Sequence, residues 1–180
     1  MPRAKVLAKP DHARELVRSF VINEQINRLL LERLNSAAWG VKAPGSRTRS
    51  IAAVFAHMHN VRRKWIRLSA PHLQLPESLQ RACTQREACA AFAASGALCT
   101  EMIEDALRNA DEAPGRVTKF VRDGWARPWP AGPTMVAYMI AHEAHHRGQI
   151  CMLAHQIGYP LSGSTTSAMW SWERMWKDSF

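Results

Sequence analysis

The residues best suited to chemistry lie in one stretch, from Met135 to Gln149, MVAYMIAHEAHHRGQ. His142 and His146 stand four residues apart. On a helix that spacing puts both imidazoles on one face, one turn apart, where they can share a divalent ion. At about 100° per residue, Met135, Tyr138, Met139, His142, His146, Gln149 and Leu153 fall within an arc of about 100°. This arc predicts a core-facing stripe with both histidines directed inward. Glu143 and His145 flank the stripe, and His155 points away as a surface residue. An inward histidine can also be structural, hydrogen-bonded to a backbone carbonyl. Two on one stripe, one turn apart, favour a metal.

A metal needs a further ligand. The segment FAHMHN, residues 55–60, offers His57 and His59. On a helix these are about 160° apart and cannot both serve one site. His57 lies closer to the apolar arc centred on Met58 and Trp65. His59 is read as a rim or surface residue. The string from His142 to His146 also matches H-E-x-x-H, the metallopeptidase pattern in which the glutamate is the general base. The additional ligands of the longer peptidase motifs are missing. Glu173 is the remaining candidate for that reading, and no sheet accompanies it.

Four amphipathic segments are available to position these groups. The first runs from Asp11 to about Ala38, with Leu16, Phe20, Ile26, Leu30 and Leu34 at helical spacing. The second runs from about Arg49 to Leu68. The third starts at the S/T-x-x-E capping box Thr84–Glu87 and reaches about Asn109. The fourth opens near Pro133, which suits a first helical position, and ends near Gly158 and Pro160. Residues 111–133 are rich in proline and glycine and are read as irregular. A helical turn is expected near Arg116–Val121, with Trp125 and Trp129 packing the loop down. A last helix is expected over Ser167–Lys177. The fold expected is all-α: an up-down four-helix bundle with an additional short C-terminal helix, Trp65, Tyr138 and Leu153 being largely buried. Residues 1–9 form a basic tail, and residues 10–180 one domain, as 180 residues allow.

Residues 1–70 hold fourteen Lys+Arg against four Asp+Glu, while the remainder is nearly balanced. The basic excess could mark a nucleic-acid or anion-binding surface. No nucleic-acid motif accompanies it, and a solvated helix face accounts for it equally. No run of about 18 apolar residues exists, so no membrane helix is expected. The start of the chain is basic but too broken for a signal-peptide core, and the chain is read as cytoplasmic. Cys83, Cys89, Cys99 and Cys151 form no C-x-x-C pair and read as reduced, small apolar residues.

His57 with Trp65 two turns on, followed by His142-x-x-x-His146 and then Arg147-Gly148-Gln149, resembles the DinB-like family of small metal-binding helical bundles. The resemblance extends from about Asp11 to Pro160. It implies a three-histidine site, His57, His142 and His146, holding a divalent ion, usually zinc or nickel. It also implies a homodimer, which would cover the apolar surface that the Trp170, Trp172 and Trp176 tail leaves. Some members are transferases or isomerases that use low-molecular-weight thiols, so the expected partners are a small-molecule substrate and such a thiol. Three neutral imidazoles leave the ion its full charge and an open position at which a water or thiol is acidified. The reading is therefore a metal-dependent transferase or hydrolase. The alternative is a non-catalytic DNA- or protein-binding module using the basic N-terminal half. Gln149, Glu143 or backbone carbonyls are expected to hold the second ring nitrogens.

Overall fold

The structure, a computed structural model, describes residues 11–43, 45, 49–108, 117, 120–121, 128–129 and 133–179. The basic tail and most of the irregular stretch, Trp125 included, lie outside them. Helix α1 is His12–Arg33, α2 Ile51–Ser69, α3 Gln85–Arg108 and α4 Pro133–Gln156. The starts of α1, α2 and α3 are chemically marked. The Asp11 carboxylate accepts from Arg14 N at 3.0 Å, and Ser50 Oγ accepts from Ala53 N at 3.3 Å. The capping box forms as expected: Glu87 N donates to Thr84 Oγ1 at 3.2 Å, and Thr84 N to Glu87 Oε2 at 2.7 Å. Past the end of α4, Gly158 takes φ +85°, a left-handed geometry that glycine adopts without a Cβ clash.

Three expectations need correction. The first segment breaks after Arg33, and only a short 3₁₀ turn, Ser36–Ala38, follows. The C-terminal helix is two helices, α5 Gly163–Met169 and α6 Trp172–Lys177. The bend between them lets Met169 and Met175 both pack on Ile22 and Ile26 of α1. Phe120–Val121 is not a helical turn. It pairs antiparallel with Pro128–Trp129 as the two-residue strands β1 and β2.

The chain direction of the helices also differs from an alternating bundle. One apolar cluster joins the C-terminal halves of α1 and α4 (Leu30, Ile150) to the N-terminal halves of α2 and α3 (Phe55, Phe92). The other joins Val17 and Met135 to Trp65 and Met102. Hence α1 and α4 run one way, and α2 and α3 the other. Helix α3 packs on α1 and α2, and α4 packs on the same two. Because α2 and α3 are parallel, residues 70–84 must climb back along α2, about 28 Å for its 19 residues. Side chains hold the segment on its way. Arg63 Nε donates to Pro76 O at 2.7 Å, His59 Nε2 to Glu77 O at 2.8 Å and Asn60 Nδ2 to Leu79 O at 2.8 Å. Trp39, stacked on Phe55, reaches Cys83 O at 2.6 Å.

His59 is thus not a surface residue. It is fully buried, and its Nδ1 lies 3.1 Å from Ser95 Oγ. Trp65 and Leu153 are buried as expected, while Tyr138 is half-buried. His155 is exposed. All four cysteines are free, Cys83 and Cys99 buried and the other two half-buried.

Between the two apolar clusters lies a polar layer contributed by all four long helices. Arg62 of α2 is its centre and is wholly buried. Its Nε donates to Glu143 Oε1 at 2.6 Å and its Nη2 to Glu143 Oε2 at 2.9 Å. Nη2 also reaches Glu24 Oε2 at 2.5 Å. Asn23 and Asn27 of α1 each donate to Glu143 Oε2 at 2.6 Å. Their own side-chain oxygens accept from Arg147. In α3, Gly96 leaves room for the Glu24 carboxyl, which a Cβ there would meet at 2.7 Å.

One guanidinium cannot fully compensate two buried carboxylates. Burial opposes the charge of Glu143, yet Arg62 and the two asparagines hold its carboxyl below the ordinary value. Burial instead pushes the Glu24 carboxyl from 4.5 up to about 7, against the pull of Arg62.

Removing Glu143 would leave Arg62 buried without its main counter-charge. Glu143→Ala is expected to cost about 3–5 kcal/mol, read by urea unfolding. Between pH 4.5 and 7 the folded state retains a Glu24 proton that the unfolded state releases. Stability from this group therefore falls as pH rises through that window. The stability of Glu24→Gln relative to the unsubstituted protein should grow from pH 5 to pH 8; a difference independent of pH would refute the assignment.

Candidate metal centre

Helix α4 is rotated relative to the stripe read from its apolar residues. Its buried positions are Met135, Val136, Met139, Glu143, His146, Ile150, Leu153 and Ala154. That face is displaced by about 60° toward Glu143. The ion pair with Arg62 turns a glutamate inward, and His142 and Gln149 move to the edge of the buried face. His146 is buried, His142 half-buried and Gln149 exposed. The histidine pair therefore sits at a rim between core and solvent, where a small molecule can approach.

His57 of α2 meets the pair there. Its ring centroid lies 5.6 Å from that of His142 and 4.7 Å from that of His146. One nitrogen from each of the three rings lies within 4.8 Å of the others. His142 Nε2 and His146 Nε2 are 3.2 Å apart, close to the separation of about 3.3 Å that two ligands of a tetrahedral zinc ion adopt. The widest separation exceeds this by an amount that a side-chain rotation covers. His59 and His155, set aside at the outset, stay out of the cluster, though His59 for a different reason from the one expected.

The donor set suits a divalent ion. Burial first, then the charges of His146 and Arg49, lower the His57 pKa to about 4. Burial likewise lowers His146. At neutral pH both rings are uncharged and keep a lone pair. His146 Nδ1 lies 2.8 Å from Gln149 Oε1, and Gln149 Nε2 lies 3.0 Å from His145 Nε2. With Gln149 so oriented, His146 Nδ1 carries the proton and Nε2 is left to bind. Gln149 is thus the partner of a second ring nitrogen. Glu143, the other candidate, is not.

The position of Glu143 also removes the peptidase reading. A general base must reach the reacting centre. Both Glu143 oxygens are instead engaged by Arg62, Asn23 and Asn27 on the core side of α4. Behind His142 stand Trp65 and Tyr138, with ring centroids at 5.4 and 6.3 Å. His57 and His146 line a cleft of about 580 Å³, together with Arg49, Val54, Met152 and Leu153 among others, a size that suits small-molecule ligands.

A helical protein with three converging histidines at a cleft is the class that fold and site define. The model of the DinB family matches residues 8–175, nearly the whole chain, and the chain belongs to that family. Comparison with curated proteins and with solved structures gave no match. Among the described residues, no helix is long and apolar enough to cross a membrane.

The depressed imidazole values postpone proton competition for the ligands. Zinc affinity, measured against a chromogenic chelator, should hold from pH 8 to about 6.5, the ordinary imidazole value, and fall only below it. Gln149→Ala should weaken binding roughly 10–100-fold by freeing the His146 ring, and His59→Ala should leave metal affinity nearly unchanged while lowering stability.

Proposed function

We propose that this protein is a metal-dependent enzyme acting on a small molecule, with His57, His142 and His146 as the ligands of a zinc or nickel ion. The observation that carries this reading is the convergence of three imidazoles, two of them, His57 and His146, held neutral and lining an open cleft. A divalent ion held there would supply Lewis acidity and favour the deprotonated form of a water or thiol. The chain's own residues do the rest. Gln149 fixes the His146 ring. Trp65 and Tyr138 wall off the side of His142 away from the cleft, and Val54, Met152 and Leu153 give the substrate an apolar surface. The reaction class is thiol-dependent transfer or hydrolysis, with a low-molecular-weight thiol as the second substrate.

The nucleic-acid alternative loses support. In the basic run Arg62-Arg63-Lys64, Arg62 is in the core and Arg63 is tied to the Pro76 carbonyl, so the run is not a free cationic patch. We further propose a cytoplasmic homodimer of one domain, residues 10–180. Trp170 is 76%, Trp172 42% and Trp176 47% exposed, apolar surface that a second copy would cover.

Metal analysis of the purified protein tests the ligand set. About one zinc or nickel per chain is expected, with loss in His57→Ala, His142→Ala and His146→Ala. Retention in His57→Ala would overturn the site. Turnover should be screened with model esters and with thiol plus electrophile pairs. Activity that survives complete chelation would overturn metal dependence. Light scattering near 40 kDa is expected, twice the 20.3 kDa chain.

A further inference from the structure

Three adjoining depressions meet around Arg49, the residue just before the cap of α2. The first is the cleft that holds His57 and His146. The second, of about 170 Å³, shares Arg49 and His57 with it and adds Lys64 and Arg81. The third, of about 440 Å³, shares Arg49, Ala53 and Arg81 with the second and adds Lys42. Among the described residues, no Asp or Glu lines any of the three. Arg49 and Arg81 are exposed and make no hydrogen bond or ion pair to another described residue. The first cleft also has an apolar lining, Val54, Met152 and Leu153.

Placing cations beside a site for a dication is unfavourable. Like charges a few ångströms apart repel even at the screening typical of a protein surface, and Arg49 lies near enough to act on both His57 and His146. Nearby carboxylates would relieve this, and the described lining of the depressions has none. An anionic ligand relieves it when bound. Guanidinium groups also suit this task, since they grip carboxylates and phosphates in a bidentate manner.

Building on the metal reading, we infer that the substrate is a small amphiphilic anion, whose carboxylate or phosphate is held by Arg49 and Arg81 while its apolar body lies against Val54, Met152 and Leu153 and its other end reaches the three histidines. Arg49 and Arg81 select for negative charge. Their distance from the polar layer leaves the fold independent of them.

The test uses the full chain loaded with cobalt, whose visible spectrum reports ligands entering the site. The probes are hexanoate, adipate and 6-phosphonohexanoate, alike in chain length and differing in the distal group. Adipate or 6-phosphonohexanoate should bind at least tenfold more tightly than hexanoate, and the tighter of the two identifies the anion class. In the Arg49→Gln/Arg81→Gln double variant the advantage over hexanoate should vanish. Arg28→Gln/Arg33→Gln, which removes equal charge from α1, should keep it. Thermal melts of both variants should match the parent. Protein that takes up no cobalt, or keeps its cobalt spectrum in His57→Ala, overturns the metal reading and this inference with it. Protein that takes up cobalt at the histidines but favours neither adipate nor 6-phosphonohexanoate by more than the statistical twofold of a symmetric diacid overturns this inference alone. So does an advantage that survives in the Arg49/Arg81 variant or disappears equally in the Arg28/Arg33 variant.

Discussion

A single buried guanidinium organises this protein. Arg62 lies at mid-length of the helices, fully removed from water, and its counter-charges come from α1 and α4. Such a group is tolerated only when its donors are satisfied in good geometry. Glu143 supplies the two-point contact, and Asn23 and Asn27 complete that carboxylate from α1. Arg147 then uses the asparagine oxygens. A slip of one helix by a turn would break several of these bonds at once. Apolar side chains above and below the layer tolerate small shifts; the layer does not. It therefore fixes how far α4 is rotated, and that rotation sets where His142 and His146 emerge.

The site was legible in the sequence to a greater extent than the fold that holds it. The i, i+4 histidine pair and the preference for His57 over His59 followed from helical geometry, and the structure brings those three rings together. The reason given for rejecting His59 did not hold. A histidine far from an apolar arc was read as solvated, whereas residues 70–84 fold back over that face and cover it. No periodicity within α2 reports what a distant segment will bury. The chain direction of α3 was hidden for the same reason, because a connection through residues 70–84 is long enough to permit either direction.

Other signals were present and went unread. Arg62 lies four residues after Met58 and three before Trp65, squarely among apolar positions. Asn23 and Asn27 interrupt the stripe of α1 between Phe20 and Leu30. Glu143 falls between Met139 and Ile150 on α4. In each helix a polar residue occupies a core position at mid-length, which is the pattern of a layer rather than of four unrelated exceptions. Leaving Glu143 at the flank of the apolar stripe put the centre of the α4 stripe near His142 instead of near Glu143. It also lent H-E-x-x-H a catalytic appearance, although its glutamate serves the interior.

The parallel course of α2 and α3 has an electrostatic consequence. Backbone dipoles leave about half a positive elementary charge at a helix N-terminus. The C-termini of α1 and α4 come to the same end and offset part of this charge, but within the first turn of α2 and of α3 the nearest partial charges are positive. The starts of α2 and α3 lie at the same end of the molecule, beside the depressions that Arg49 and Arg81 line. The aligned peptide units therefore extend the positive potential of the two arginines. Part of that field belongs to the backbone and survives exchange of side chains, whereas the two-point grip on an anion belongs to the arginines alone.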